Sequence, residues 1–146
     1  MSLFSSIDVS ATGMTAQRQR AEILVENLAN SDTTHTAGGG PYRRKDVVFQ
    51  TTDVAGSEFS SLIASQMSPA GTGVRVARVT TDNSEPEMRY MPGHPDANKD
   101  GYVAFPKMNP SEDMVDLLGA SRGYQANVAA VSAIKDMIQR SIDLFK

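Results

Sequence analysis

The chain has 146 residues, of which 40% are apolar and 21% are charged, with a formal net charge of −3. These values predict one small domain, or a core with appendages, and the slightly acidic balance argues against nucleic acid as the main partner. The absence of cysteine excludes disulfides and thiolate metal sites. No run approaches the ~20 apolar residues that span a membrane, and the N-terminus lacks the pattern of a cleaved secretory signal. We therefore expect neither membrane insertion nor export by such a signal.

An amphipathic helix is the first predicted element and extends from about Ser6 to Asn30. Its apolar residues recur at every seventh position or lie beside that line, which indicates one buried face. They are Ile7, Met14, Ala21 and Leu28, with Ala11, Leu24 and Val25 beside them. Thr12 and Gly13 are poor helix formers, and Arg18 lies at the edge of the apolar face, so we expect fraying or a bend in the first half.

A loop rich in Ser, Thr and Gly follows over residues 31–41. The run from Gly38 to Gly40 lacks the Gly-Lys-Ser/Thr ending of a phosphate-binding loop, so we interpret it as a surface loop. A basic cluster comes next and consists of Arg43, Arg44 and Lys45. This cluster is either a solvated turn or a contact with an acidic surface on a neighbouring subunit. The acidic residues that suggest the second alternative are Glu112, Asp113 and Asp116.

The segment from Val47 to Phe105 is predicted to contain short strands and loops. The strand candidates are Val47–Phe49, Gly73–Val79, Met88–Tyr90 and Tyr102–Phe105, with one helical turn over Phe59–Ile63. The alternation of the second strand breaks at Ala77 and Arg78, which predicts a β-bulge. These pieces favour a small antiparallel patch over an enzyme core.

One stretch of the middle segment imitates a metal site. Asp96, Asn98, Asp100 and Gly101 match the first half of a calcium-binding loop, but position twelve, which needs a bidentate Glu, is Lys107. We interpret this stretch as a turn that joins two strands. The two histidines have no second histidine or cysteine at ligand spacing, and no serine lies in a nucleophile elbow. The sequence therefore predicts no catalytic residue, metal or cofactor.

The last part of the chain, from Asn109 to Phe145, is predicted to form one long helix. Asn109 suits the N-cap and Pro110 suits the first helical position. An apolar seam recurs at every seventh residue, and a second line beside it is interrupted by polar residues. The seam is Leu117, Tyr124, Val131, Ile138 and Phe145, and the second line is Met114, Ser121, Val128, Lys135 and Ile142. At ~1.5 Å per residue this helix is roughly 50 Å long, so a chain of this size cannot cover it.

Amides and small residues lie on both predicted helices. Asn27 and Asn30 end the first helix, whereas Gly123, Gln125 and Asn127 lie in the middle of the last. Such residues permit close helix approach and hydrogen bonds between helices. Gly123 costs roughly 1 kcal/mol in a helix interior, which suggests that it has a close neighbour.

The stretch ENLANSDT, from Glu26 to Thr33, resembles the Asn-Leu-Ala-Asn signature of the rod and hook family of bacterial flagellar axial proteins. The stretches TTHTAGGGPYRRKDVVF, HPDANKDGYVAFP and MNPSEDMVDLLGASRGYQANV resemble the proximal-rod members of this family. The chain departs from the family pattern before the last helix, where Asn-Val-Asn is common, and at Gly123, where Ala is common. Neither departure touches the seam.

The resemblance implies a structural subunit of the flagellar basal body, in the proximal rod that crosses the periplasm and transmits torque for motility. It implies export by the flagellar type III apparatus without a cleaved signal, and assembly with other rod proteins and with further copies of the chain. It implies no enzymatic activity, no cofactor and no small-molecule substrate.

We therefore predict a mainly α protein with a small β region. Its N- and C-terminal helices pair as a coiled coil, and a middle segment of loops and short antiparallel strands projects from them. The expected divisions are residues 1–32, 33–108 and 109–146. The predicted assembly residues are Ile7, Met14, Ala21, Asn27, Leu28, Asn30, Leu117, Ser121, Tyr124, Gln125, Asn127, Val128, Val131, Lys135, Ile138 and Phe145. The alternative is a small exported helical adaptor or calcium-binding protein that pairs its terminal helices within itself.

Overall fold

The computed structural model describes residues 3–53 and 72–144. Two long helices, α1 (Leu3–Ala29) and α2 (Pro110–Asp143), stand at the two ends of the chain. Between them lie the strands β1 (Lys45–Asp53), β2 (Thr72–Thr81), β3 (Glu87–Tyr90) and β4 (Tyr102–Phe105). The predicted mainly α fold with a small β region is confirmed. The predicted helical turn at Phe59–Ile63 and the seam residue Phe145 lie outside the described residues.

Local hydrogen bonds explain why α2 begins where it does and why α1 continues through its predicted weak point. Asn109 is the N-cap of α2, because its side-chain oxygen accepts a hydrogen bond from the Ser111 backbone N–H at 3.1 Å, and Pro110 follows as predicted. The helix α1 is uninterrupted from its first to its last residue, including the predicted weak point. There the Thr12 hydroxyl donates to the Val9 carbonyl oxygen at 2.7 Å, so this polar side chain is satisfied within the helix.

The strands β1 and β2 form an antiparallel ribbon that is longer than the sequence predicts. The predicted bulge is present: Val48 pairs with Arg78 and Phe49 pairs with Val76, so Ala77 is the extra residue. A two-stranded ribbon is partly exposed on both faces, so polar residues can extend it beyond its apolar centre.

This ribbon lies along α1. At one end the Asn27 side chain donates to the Lys45 carbonyl oxygen at 2.8 Å, and at the other the Thr12 hydroxyl accepts from the Val74 N–H at 3.1 Å. The helix rises about 22 Å between Thr12 and Asn27. The ribbon rises about 20 Å between Lys45 and Thr51, the partner of Val74. Because the two lengths agree, both ends of the ribbon can be held by one helix.

The strands β3 and β4 form a second antiparallel ribbon, in which β4 buries residues on one face while β3 is exposed throughout. Val103 and Phe105 of β4 are buried, and the Arg89 guanidinium lies 4.7 Å from the centroid of the Phe105 ring. The opposite face exposes Met88, Tyr90 and Tyr102. The two tyrosine rings meet edge to face with their centroids 5.3 Å apart.

The turn between β3 and β4 contains the stretch that imitates a calcium loop. The Asn98 side-chain oxygen accepts from the backbone N–H groups of Asp100 and Tyr102, at 3.0 and 2.9 Å. Gly101 has a φ of +81°, and a Cβ at this position would lie 2.9 Å from Cε2 of Tyr90. The interpretation as a turn joining two strands is confirmed, because the Asn98 oxygen is used to hold the turn.

The helices α1 and α2 pack against each other in antiparallel orientation. Contacts join Gly13 to Asn127, Gln17 to Gly123 and Arg20 to Asp116. The centre of the α2 surface that faces α1 is a line of residues at every seventh position, which we call the inner line: Asp113, Ala120, Asn127 and Ile134. Asn127 is half-buried and the other three are buried.

The predicted apolar seam is the edge of this contact and not its centre. Leu117, Val131 and Ile138 are half-buried, whereas Tyr124 is exposed. A residue four positions further along a helix lies about 40° around its axis, so the seam is displaced from the inner line by that angle. Beyond the level of Gly13 and Asn127, α1 has residues 3–12 and α2 has residues 128–143. The longer helix therefore extends about 9 Å past its partner.

Candidate assembly interface

A buried polar cluster joins α1, the loop before β1 and the start of α2. We call it the polar junction, and it consists of Asn27, Tyr42, Arg44, Lys45 and Asp113. Asn27 is 0% exposed. Its Nδ2 donates to the Lys45 carbonyl oxygen at 2.8 Å, and its Oδ1 accepts from the Lys45 N–H at 2.9 Å and from the Tyr42 hydroxyl at 3.0 Å. The carboxamide thus pairs with the Lys45 backbone as a neighbouring strand would, and this pairing fixes where β1 begins.

Tyr42 is the neutral donor of the polar junction. Burial raises the pKa of its phenol to about 12, and the nearby Glu26 and Asp113 carboxylates act in the same direction. Lys45 forms an ion pair with Glu26, and its Nζ lies 5.7 Å from the centroid of the Tyr42 ring. The phenol therefore keeps the proton that it donates to Asn27.

The remaining part of the polar junction is an ion pair between Arg44 and Asp113. Nε and Nη2 of Arg44 both donate to Oδ1 of Asp113, at 3.0 and 2.8 Å, and Asp113 is 1% exposed. This hydrogen bonding is the main cause that raises the pKa of Arg44. The sequence suggested either a solvated turn or an acidic surface on a neighbouring subunit. The structure places the acidic partner in the same chain, because antiparallel packing brings the start of α2 to the end of α1.

An apolar surface lies on α2 beside its contact with α1. We call it the outer stripe: Met114, Leu117, Tyr124, Val128, Val131, Ile138 and Ile142. Met114, Val128 and Ile142 are 51%, 41% and 50% exposed. These positions lie about 40° to 100° around the helix from the inner line. Ser121 and Lys135 interrupt its outermost line, as the sequence indicates, and the exposed apolar surface that remains is characteristic of a contact site for another molecule.

The predicted assembly residues divide between in-chain contacts and exposed surface. Asn27 lies in the polar junction, and Asn127 faces Gly13. Asn30 closes the end of α1, because its Nδ2 donates to the Glu26 carbonyl oxygen at 2.9 Å. The half-buried members are Ile7, Met14, Ala21, Leu28, Leu117, Val131 and Ile138, and the exposed members are Ser121, Tyr124, Gln125, Val128 and Lys135.

Several in-chain contact residues were missed by reasoning from sequence, including Gln17, Tyr42, Asp113, Ala120 and Ile134. The seven-residue spacing of Asp113, Ala120, Asn127 and Ile134 was a usable signal, but it was weaker than the more apolar seam beside it. Tyr42 carried no periodic signal, since it lies in a loop and its partner is on α1.

The surface of the described residues is suited to packing and to polar contacts. Within residues 3–53 and 72–144, no group of three or more acidic or histidine side chains is arranged to hold a metal ion. In the same ranges, no helix combines the length and the apolar character needed to cross a membrane.

Two family models match the chain, one at each end. The model described as "Flagella basal body rod protein" matches residues 7–34, which include most of α1 and the Asn-Leu-Ala-Asn signature. The model described as "Flagellar basal body rod FlgEFG protein C-terminal" matches residues 99–144, which include β4 and α2. These two matches include most of both terminal helices and indicate a flagellar basal-body rod protein.

Comparison with curated relatives identifies the particular family within this class. The chain is 43% identical over 153 residues to the flagellar basal-body rod protein FlgC of Bacillus subtilis (strain 168), with 100% of both chains covered. It is 38% identical over 151 residues to FlgC of Borreliella burgdorferi, covering 100% of this chain and 99% of the relative. It is 35% identical over 144 residues to FlgC of Escherichia coli O157:H7, covering 99% and 98%. The chain belongs to the FlgC family of flagellar basal-body rod proteins and is a structural subunit of that rod.

Proposed function

We propose that this protein is a subunit of the proximal rod that assembles through the outer stripe with further copies of itself and with other rod proteins. Membership of the rod family supports the proposal, and the observation that carries it is the exposed apolar surface of α2. If the outer stripe meets a different surface on its neighbour, the contact is head-to-tail, and it repeats without closing when the rotation between subunits does not complete a ring. Such a head-to-tail contact produces a helical filament, as a rod requires.

In this proposal the terminal segments, residues 1–32 and 109–146, form the axial core that transmits torque through the periplasm. Residues 33–108 face outward or towards the next subunit. The subunit reaches the rod through the flagellar type III export apparatus. Its role is mechanical and involves no catalysis. The relatives named as rod proteins support this role, as does a structure in which the large apolar surface lies on a helix and not in a pocket.

The test is a charge in the outer stripe that leaves the chain folded. Val128→Asp should abolish motility in a strain that lacks the native gene, and the variant should be absent from isolated basal bodies. The purified variant should keep its free energy of unfolding to within about 0.5 kcal/mol, because Val128 is already exposed in the single chain.

Ala129→Asp is the matched control, since it places the same charge one residue further along, on an exposed position outside the outer stripe. It should support motility and enter basal bodies. Normal incorporation of Val128→Asp would contradict the proposal, as would a loss of incorporation that is equal in the two variants.

A further inference from the structure

The contact between α1 and α2 includes two glycines that each face an amide side chain. A Cβ at Gly13 would lie 2.8 Å from Oδ1 of Asn127, and a Cβ at Gly123 would lie 3.1 Å from Cδ of Gln17. The expectation that Gly123 has a close neighbour is thereby confirmed. We call these two pairs the glycine–amide contacts. Each helix supplies one glycine and, four residues later, one amide, so the two contacts are reciprocal.

The two amides differ in their hydrogen bonding. Nδ2 of Asn127 donates to the Gly123 carbonyl oxygen at 2.8 Å, which holds Oδ1 towards Gly13. Oε1 of Gln17 is buried and accepts no hydrogen bond from the described residues. A buried acceptor without a donor disfavours the folded chain. The glycine–amide contacts therefore stabilise the pairing of the two helices less than apolar side chains of similar size would.

Another arrangement of the same helices would bring the more apolar face of α2 to α1. A rotation of α2 by about 40° would turn the Leu117, Val131 and Ile138 edge of the outer stripe towards α1. A shift of one helix by seven residues would move Asn127 from Gly13 to the level of Ser6 or Arg20, both of which carry side chains. The hydrophobic effect alone favours the rotation, whereas the amide of Asn127 fits only opposite the glycine.

We propose that the glycine–amide contacts set the axial register and the rotation of α2 against α1, and so keep the outer stripe turned away from α1. Polar residues at an otherwise apolar helix contact are known to specify register at a cost in stability. The setting of the register is a property of the single chain. Its consequence, an outer stripe that is available for assembly, rests on the proposed function.

The experiment measures a distance between the helices in the full chain. Because the chain has no cysteine, Glu22→Cys and Ala129→Cys place two nitroxide labels at positions outside the glycine–amide contacts, and pulsed electron resonance gives the distribution of distances between them. The parent chain should show one narrow distribution. Gln17→Leu combined with Asn127→Leu should add a second population, since a shift by seven residues displaces one label by about 10 Å along the axis. The urea midpoint should stay equal or rise.

The matched control is Gln19→Leu with Gln125→Leu, which makes the same chemical change at exposed positions of the same helices. It should keep the parent distribution. The proposal is overturned if the Gln17/Asn127 variant keeps the single parent distance, or if the parent itself shows several. It is also overturned if that variant, and the single variant Asn127→Leu, lose a cooperative urea transition, because the amides would then be needed for folding itself. All of these outcomes are read without assembly, so they are independent of the motility test.

Discussion

A helix in a small domain is expected to bury its more apolar face. In α2 the more apolar face is the more exposed one. The inner line, which packs against α1, carries an aspartate, an alanine, an asparagine and one isoleucine. The outer stripe, which the described chain leaves partly exposed, is almost wholly apolar. The difference teaches that apolar periodicity in α2 does not mark the face that packs within the chain. The contact within the chain is marked by small and polar residues that allow close approach.

The two faces also depend on different interactions. The inner contact is held by close packing at Ala120 and Gly123 and by the polar junction at one end. In the proposed assembly, another molecule covers the outer stripe and stabilises it. Substitutions at the inner contact should therefore change the stability of the single chain, whereas substitutions at the exposed members of the outer stripe, Met114, Val128 and Ile142, should mainly change assembly.

The largest effect on stability is expected from a charge on the inner line. Ala120 is 0% exposed, so Ala120→Asp buries a carboxylate without a partner. We expect the free energy of unfolding to fall by about 3 kcal/mol or more, measured by urea denaturation. Ala126→Asp is the control, because it makes the same change at an exposed position of α2 and should cost less than about 1 kcal/mol. Equal losses in the two variants would remove the distinction between the faces.

A smaller loss is expected at the polar junction. Asn27→Asp removes the donor to the Lys45 carbonyl oxygen and places a negative charge next to Glu26. An unsatisfied buried carbonyl and this repulsion should lower stability by about 2 kcal/mol or more. Asn30→Asp makes the same change at the second asparagine of the signature, which is half-buried, and should cost about 1 kcal/mol or less. If Asn30→Asp were the more damaging change in urea denaturation, Asn27 would not be the residue that fixes β1.

The smallest effect at neutral pH is expected for Tyr42→Phe, which removes one hydrogen bond and should cost about 1 kcal/mol. A larger effect is expected in alkali. The pKa of Tyr42 rises from 10.0 to about 12 on folding, so the unfolded chain releases this proton first. The stabilisation that this pKa shift gives to the folded chain is fully present below pH 10 and is lost as the pH rises from 10 to 12. The total loss is about 2 to 3 kcal/mol.

Urea denaturation at pH 9 and at pH 11.5 measures this loss. The part of the loss that is due to Tyr42 should disappear in Tyr42→Phe and persist in Tyr124→Phe, which changes an exposed tyrosine. An identical alkaline loss in the parent chain and in Tyr42→Phe would show that the phenol is not responsible.

Local features of the fold could be read from the sequence because each depends on neighbouring residues. Asn109 and Pro110 mark the start of α2, the broken alternation at Ala77 marks the bulge, and the Asn98 to Gly101 stretch marks a turn. The partners of the polar junction could not be read in the same way. Arg44 and Asp113 are far apart in the chain, and only antiparallel packing of the helices brings them together.

The sequence by itself determined that this protein has two long amphipathic helices, that the apolar surface of α2 exceeds what the chain can cover, and that it belongs to an axial family. These properties follow from periodicity, from helix length and from a local signature. Only the tertiary structure decided which face of α2 meets α1. The line through Asp113, Ala120 and Asn127 packs against α1, and the more apolar seam does not form the centre of the contact. The physical reason is that steric fit at Gly13 and Gly123 and the pairing of buried charges depend on three-dimensional proximity, which a pattern of hydrophobicity does not contain.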